Sequence, residues 1–266
     1  MRSPITDADI QFYREQGYFI FRQILPASLI TDLRRTAANG LETARRLHGP
    51  QAQRLQDLGQ HPEIGLEPVA AFAELSALND GLAALLSPRH RISWPSVMAF
   101  LYEPAERCWG MEWHRDWRDH MNEAKFAEVF EGRWESTAVD PDLFNQINCA
   151  LYDDSSTWFV PGTHRRLRDT PEEVRAMKAL DRGSLENKDR SRTEAEQELA
   201  LNDYLAAMPG AVSLHLRAGD LAVYRNVAWH TGAYVPYRKR ATLHCSASTP
   251  EFERFVRRTT EIIAKS

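Results

Sequence analysis

Gly219–His244, GDLAVYRNVAWHTGAYVPYRKRATLH, is the stretch that decides how this 266-residue chain is read. Gly219-Asp220 is turn chemistry. Beyond that turn come short runs rich in Val, Tyr, Trp and Thr, residue types that pack well on a pleated surface. Runs of the same kind lie upstream and just after it: ISWPSVMAFLYEP (92–104), FNQINCALYDD (144–154), TWFVPG (157–162), AVSLHLRAGD (211–220) and ATLHCSAS (241–248). Pro161-Gly162 and Pro209-Gly210 punctuate them. Short strands joined by tight turns predict a sandwich or barrel. They do not alternate with long helices, which argues against a doubly wound parallel sheet.

The residues before this region read as helical. Thr6 is a good N-cap for DADIQFYREQ, which carries Ile10, Phe12 and Tyr13 at helical spacing and stops at Gly17. YFIFRQIL then alternates like a strand. Pro26 opens a second helix with Leu29, Ile30, Leu33 and Leu41 on one face. Gln51–Gly65 is polar and reads as a loop, and PVAAFAELSALNDGLAALL as one helix or a pair of short ones. Residues 165–207 form a highly charged insertion between two strands, with little apolar periodicity. Insertions of this length are often functional, and a lid over a site is one reading. PEFERFVRRTTEIIAK is an amphipathic C-terminal helix. No internal repeat or low-complexity segment interrupts 1–266, and one domain is expected, helical at its N-terminus and β-rich after it.

Composition narrows the partners. The formal charge is −4, without the clustered Lys and Arg of a nucleic-acid-binding face. Cys108, Cys149 and Cys245 are odd in number and far apart, so zinc-ribbon and thioredoxin readings fail and a reducing compartment is expected. The N-terminus lacks the apolar core of a signal peptide, and no apolar run approaches the roughly 20 residues of a membrane span. The expectation is a soluble, cytoplasmic protein, monomeric or homodimeric, with a small-molecule substrate and no nucleic-acid or membrane partner.

The chemistry concentrates in MEWHRDWRDH, Met111–His120. His114 and Asp116 form His-x-Asp, and on a strand positions i and i+2 point to one face, so both can reach one metal ion. An imidazole and a carboxylate are two members of a 2-His-1-carboxylate triad, which leaves open positions on Fe(II). The second histidine has to come from a distant strand, and His230 lies 116 residues on, in the same β-rich region. Beyond it, Arg238, Arg240, Thr242 and His244 share one parity. Either arginine offers the two-pronged donor a cosubstrate carboxylate needs. Trp113, Trp117 and Tyr102 are candidates to line a pocket, and Arg115, Arg118, Arg165, Arg166 and Arg168 to meet an anion.

Taken in order, these segments resemble the phytanoyl-CoA dioxygenase family of Fe(II)/2-oxoglutarate oxygenases. WHRD (113–116) resembles its Trp-His-x-Asp and FVPGTHR (159–165) its Pro-Gly-Ser/Thr-His turn. GDLAVYRNVAWHTG (219–232) resembles the segment of its distal histidine, and RATLH (240–244) its cosubstrate strand. The resemblance runs from about residue 5 to about residue 250. It implies a mainly β fold with α, a double-stranded β-helix (jelly roll, cupin-like) with N-terminal and C-terminal helices packed on one face. It implies His114, Asp116 and His230 as iron ligands, and Arg240, with Arg238 as the alternative, as the 2-oxoglutarate anchor. Asn148 falls where the family often has a tryptophan near the cosubstrate. Gly232 replaces the family's small hydroxyl residue, and DSSTW its Asn-Gly. His164, in the Pro-Gly-Thr-His turn, is read as structural.

The activity implied is a dioxygenase that uses Fe(II), 2-oxoglutarate and O2, releases succinate and CO2, and hydroxylates or otherwise oxidises an unactivated C–H bond. Related halogenases have a small residue where Asp116 stands, so the carboxylate points away from halogenation. Two alternatives remain open: a cupin-like metalloenzyme that does not use 2-oxoglutarate, and a non-catalytic binding module on the same fold.

Overall fold

Thr6 opens the first helix, α1 (Asp7–Gln16), with a capping box. Its hydroxyl accepts from the Asp9 amide while the Asp9 carboxylate accepts from the Thr6 amide. Gly17 ends α1 at φ +82°, a backbone state glycine adopts without steric cost. Three further helices come next: α2 (Ala27–His48), α3 (Glu67–Ala73) and α4 (Ser76–Leu85). The computed structural model describes residues 5–92, 97–178 and 191–264. The expected strand 92–104 falls partly outside them, at 93–96, and so does the middle of the charged insertion, at 179–190.

The strands are β1 (Tyr18–Phe21), β2 (Arg54–Leu55), β3 (Arg91–Ile92), β4 (Ala99–Tyr102), β5 (Trp109–Gly110) and β6 (Gln146–Ala150). They continue with β7 (Thr157–Phe159), β8 (Val212–Ser213), β9 (Leu221–Tyr224), β10 (His230–Tyr234), β11 (Ala241–Cys245) and β12 (Ala247–Ser248). Among the described residues they form a six-stranded sheet ordered β1-β9-β6-β11-β4-β2, a four-stranded sheet ordered β5-β10-β7-β8, and the β12-β3 pair. Every pairing is antiparallel.

Period-two alternation gives the large sheet two different faces. Phe21, Leu55, Phe100, Tyr102, Ile147, Cys149, Leu221, Val223, Leu243 and Cys245 point to one side. There they join Leu33, Phe72, Leu78 and Leu82 of the N-terminal helices in the main core. Burying each Leu or Phe contributes roughly 1.5–3 kcal/mol, so this face holds the helices in place. Tyr102 belongs here: its hydroxyl donates to the Ala37 carbonyl at 2.9 Å, and it does not line the pocket expected of it. The register puts Gln146, Asn148, Tyr224, Thr242, His244, Leu101 and Arg54 on the opposite side, toward the small sheet.

Three expectations are corrected, and one omission is filled. More described residues are helical than extended, so the fold is mixed α and β with antiparallel sheets, not mainly β. Gln51–Gly65 is not a plain loop: it contains β2 and two short 3-10 turns, and buries Leu55, Leu58 and Ile64 despite its polar composition. Two helices that sequence reading passed over, α5 (Glu123–Phe130) and α6 (Trp134–Val139), succeed the Met111–His120 motif. Finally, the C-terminal helix Pro250–Ala264 does not share the N-terminal helices' face. Phe252, Phe255 and Ile262 pack with Phe126, Phe130, Trp134 and Phe144 in a separate cluster.

The insertion contributes α7 (Pro171–Lys178) and α8 (Glu194–Ala206), so the C-terminal helix is α9. Leu201 and Leu205 of α8 are buried, and Leu205 packs with Trp113, Val160, Met208 and Trp229. The described end of the insertion is therefore anchored in the protein interior.

The Pro161-Gly162-Thr163-His164 turn works as a clasp. The Gly162 amide donates to the Gln16 carbonyl at 2.9 Å, and Thr163 Oγ1 accepts from the Trp229 amide at 3.0 Å. His164 Nε2 donates to the Arg14 carbonyl at 3.1 Å, with its ring over Gly17. His164 is a structural residue. Its burial, and then the charge of Arg225, push its pKa down to about 4. The folded value lies below the unfolded one, so the penalty is absent above pH 6.5 and grows as pH falls from 6.5 toward 4, where only the unfolded chain takes up the proton. The shift corresponds to roughly 3 kcal/mol. Thermal midpoints of wild type and His164→Gln between pH 7.5 and 4.5 check this: the variant loses part of the wild-type acid sensitivity, and equal slopes refute the assignment.

Candidate metal centre

His114 lies outside the regular strands, in an isolated antiparallel bridge with His230, the first residue of β10. Each backbone serves the other. The His114 amide donates to the His230 carbonyl at 3.1 Å, and the His230 amide to the His114 carbonyl at 3.0 Å. The two rings then stand with centroids 4.3 Å apart. The side chains are aimed the same way. His114 Nδ1 donates to the Glu112 carbonyl at 2.8 Å and His230 Nδ1 to the Ala228 carbonyl at 3.0 Å. That fixes both tautomers and leaves both Nε2 lone pairs for a ligand.

Asp116 is delivered by a bend rather than by strand parity. Its amide donates to the Asn226 carbonyl at 2.8 Å, and the Asn226 side-chain amide donates to Oδ2 at 2.9 Å. Oδ1 remains, 3.9 Å from His114 Nε2. The three ligand atoms of His114, Asp116 and His230 all lie within 4.8 Å of one another, a spacing that one metal ion can bridge. Burial first, and the neighbouring His114 next, lower the His230 pKa to about 4, so its ring is neutral at physiological pH.

The bend separates the two tryptophans that were expected on one far face. Trp117 has φ +66°, a left-handed state that bulky side chains rarely adopt. Its ring turns toward Phe144, Phe252 and Phe255, whereas Trp113 is buried against Val160, Leu205 and Trp229. Arg115 does point away from the triad. It is buried, stacks on Trp229 at 4.2 Å and pairs with Asp119 and Asp169. Arg118 pairs with Glu123 and Arg166 with Glu173. Arg115, Arg118, Arg165, Arg166 and Arg168 do not line the triad's cavity. His120 is exposed, with Nδ1 3.8 Å from Asp116 Oδ1.

The triad stands on the wall of a cavity of about 860 Å³ between the two sheets. Arg240 lines it; Arg238 does not, and pairs with Glu198 on the surface. The Arg240 side chain is buried, and its Nε donates to Asp154 Oδ2 at 3.2 Å. Asp154 is held below the usual carboxylate range, against its burial, by Arg240 and by hydrogen bonds from Ser156 and Thr242. Asn148 lies on the cavity floor. Its Oδ1 accepts from His244 Nδ1 at 2.7 Å, and its Nδ2 donates to Thr157 and to the Tyr224 hydroxyl. Burial, with Arg54 next, pushes the His244 pKa down to about 3.

Sequence reading missed three contributors. Asn226 clamps Asp116. Tyr234 packs at a tilt against Trp109 and lies under the Arg240 guanidinium, and fills the space beside Gly232, where any Cβ would collide with its hydroxyl. Arg54 reaches the cavity from the edge strand β2. Of these, Tyr234 had an indirect sequence signal, in the Gly232 beside it that replaces the family's hydroxyl residue.

No protein-family model matches the sequence, and no curated protein matches it. Solved structures do. AviO1 from Streptomyces viridochromogenes Tue57 superposes with a TM-score of 0.57 at 14% identity, covering 94% of this chain and 97% of its own. SnoN, a non-heme α-ketoglutarate-dependent epimerase from nogalamycin biosynthesis, gives 0.55 at 16%, covering 90% and 80%. EctD from S. alaskensis, solved with bound Fe, gives 0.57 at 15%, covering 93% and 78%. Structural neighbours that include non-heme iron and 2-oxoglutarate enzymes agree with the phytanoyl-CoA dioxygenase resemblance of the motifs, and the chain has the fold that these neighbours share.

Proposed function

We propose that the chain is an Fe(II)- and 2-oxoglutarate-dependent oxygenase of the phytanoyl-CoA dioxygenase type, built on a double-stranded β-helix. It oxidises a C–H bond of a small molecule. One observation carries the reading: His114, Asp116 and His230 converge within 4.8 Å on the wall of a cavity that also presents Arg240. The donor set fits the metal, since two imidazoles with free Nε2 atoms and one carboxylate suit Fe(II) and leave positions open. Fe(II), 2-oxoglutarate and O2 supply the oxidising chemistry when bound, with succinate and CO2 as coproducts.

The residues of the chain bind and orient. His114, Asp116 and His230 hold the metal. Arg240, kept in place through its Nε by Asp154, turns the rest of its guanidinium to the cosubstrate's distal carboxylate. Asn148 stands on the floor, its amide fixed by three partners. Met177 of α7 reaches the cavity, and α7 is the part of the 165–207 insertion that closes over substrate. Limited proteolysis with and without substrate tests that closure.

Anaerobic protein with Fe(II) and 2-oxoglutarate is expected to show the weak visible band of the chelate; its absence sinks the proposal. Arg240→Ala is expected to weaken apparent 2-oxoglutarate affinity at least about tenfold, the loss of a charge-assisted pair. Arg238→Ala stays within about twofold, as an exposed ion pair should. An Arg240→Ala enzyme with unchanged 2-oxoglutarate affinity favours the cupin-like alternative. Asn226→Ala is expected to weaken Fe(II) binding about 10–100-fold, the usual cost of losing a group that orients a metal ligand. Anaerobic calorimetry measures it.

A further inference from the structure

A second cavity of about 520 Å³ opens beside the first and shares Asp116, His120, Gln146 and His244 with it, so the two meet at the carboxylate ligand. Val97, Trp117, Met121, Phe252 and Ile263 give it apolar walls. Val97 and Ile263 are 63% and 49% exposed. Adjoining exposed apolar side chains mark a surface that is covered in use. The groups around them include neutral Asn145, Asn226 and Ser246. No lysine or arginine among the described residues lines this groove; Arg54 and Arg240 line the other cavity.

Trp117 builds the wall nearest the triad. Phe255, Phe252 and Phe144 hold its ring at centroid distances of 5.3, 5.8 and 5.9 Å. Its left-handed backbone is the kind of strain that surrounding packing maintains at ligand clamps. The groove's size falls within the roughly 300–1,000 Å³ of drug-sized ligand sites.

We propose that this groove seats the apolar body of the substrate, and that the substrate is uncharged: a ring or chain bearing hydroxyl or amide groups, not a carboxylate or phosphate. The inference rests on the proposed function and adds the substrate class. An anion in the groove would lose hydration with no lysine or arginine among the described residues there to pair with. The dianionic cosubstrate finds its cations in the adjoining cavity.

Matched probes test this: 1-naphthol against 1-naphthoate, and cyclohexanol against cyclohexanecarboxylate, titrated into metal-free protein at pH 7.5 by ligand-observed NMR. The neutral member of each pair is expected to bind at least tenfold tighter. Ile263→Arg and Val97→Arg, both at exposed positions, are expected to weaken it at least tenfold. In Mn(II)-loaded protein the bound neutral probes broaden, because the groove adjoins the triad, and His114→Ala removes the broadening. Carboxylates that bind as well as the neutral probes, neutral binding that survives both arginine variants, or no binding at all overturns the assignment. The functional reading is tested apart from it, by 2-oxoglutarate binding to Fe(II)-loaded protein. Its failure with the probe results intact overturns the oxygenase, and the converse overturns only the groove.

Discussion

His230→Ala is expected to remove Fe(II)-dependent 2-oxoglutarate consumption, with succinate release falling at least about a thousandfold. That exceeds the roughly 10–100-fold cost of losing a group that only supports a metal ligand. The fold is expected to survive, because the bridge to His114 is made by the two backbones and not by the ring. Alanine also relieves a buried imidazole whose pKa is already low. The decisive combination is lost Fe(II) binding by anaerobic calorimetry with a thermal midpoint near that of metal-free wild type. Succinate release within tenfold of wild type rejects His230 as a ligand.

The largest effect on stability is expected five residues earlier. Arg225 is 2% exposed, and its guanidinium donates to the carbonyls of Val139, Asp140 and Leu143, closing the end of α6. Its plane lies over Tyr13 at 5.3 Å, and its amide donates to the Gly17 carbonyl at 2.7 Å. This one residue joins the N-terminal helix, the α6 corner and the Asn226 clamp. Arg225→Met fills the volume and strands three carbonyls, each costing about 1–3 kcal/mol, offset in part by the desolvation of the cation. A net loss of about 3 kcal/mol should lower the thermal midpoint by roughly 6–12 °C in a chain of this size. Arg225→Lys is expected to recover little, because a single ammonium cannot reach three divergent acceptors. A midpoint for Arg225→Met within about 2 °C of wild type refutes the role.

Legibility in the sequence tracked the range of the interaction. Thr6, Gly17 and the Leu33 face of α2 act within a few residues, and all appeared where the sequence placed them. The α5 helix was equally local: Asn122 caps it, and Phe126, Val129 and Phe130 share its buried face. It was overlooked beside a motif richer in charge. His114 and Asp116 do converge, but not for the reason of strand parity alone. Strand parity does not hold through Trp117, and the Asp116 carboxylate is set by Asn226, 110 residues away. No local period encodes such a contact. Nor does spacing separate Arg238 from Arg240, which share parity; the fold leaves the first paired with Glu198 and puts the second at the cavity.

The two-faced sheet has a consequence for genetics. Along Gln146–Ala150 and Ala241–Cys245, neighbouring codons answer to different demands. Substitutions at Ile147, Cys149, Leu243 and Cys245 should reduce the amount of folded protein. Substitutions at Asn148, Thr242 and His244 should leave abundance nearly intact while removing turnover. A saturation library scored once for abundance and once for activity would then separate into two interleaved combs of two-residue pitch, offset by one position, with the same register carried across both strands.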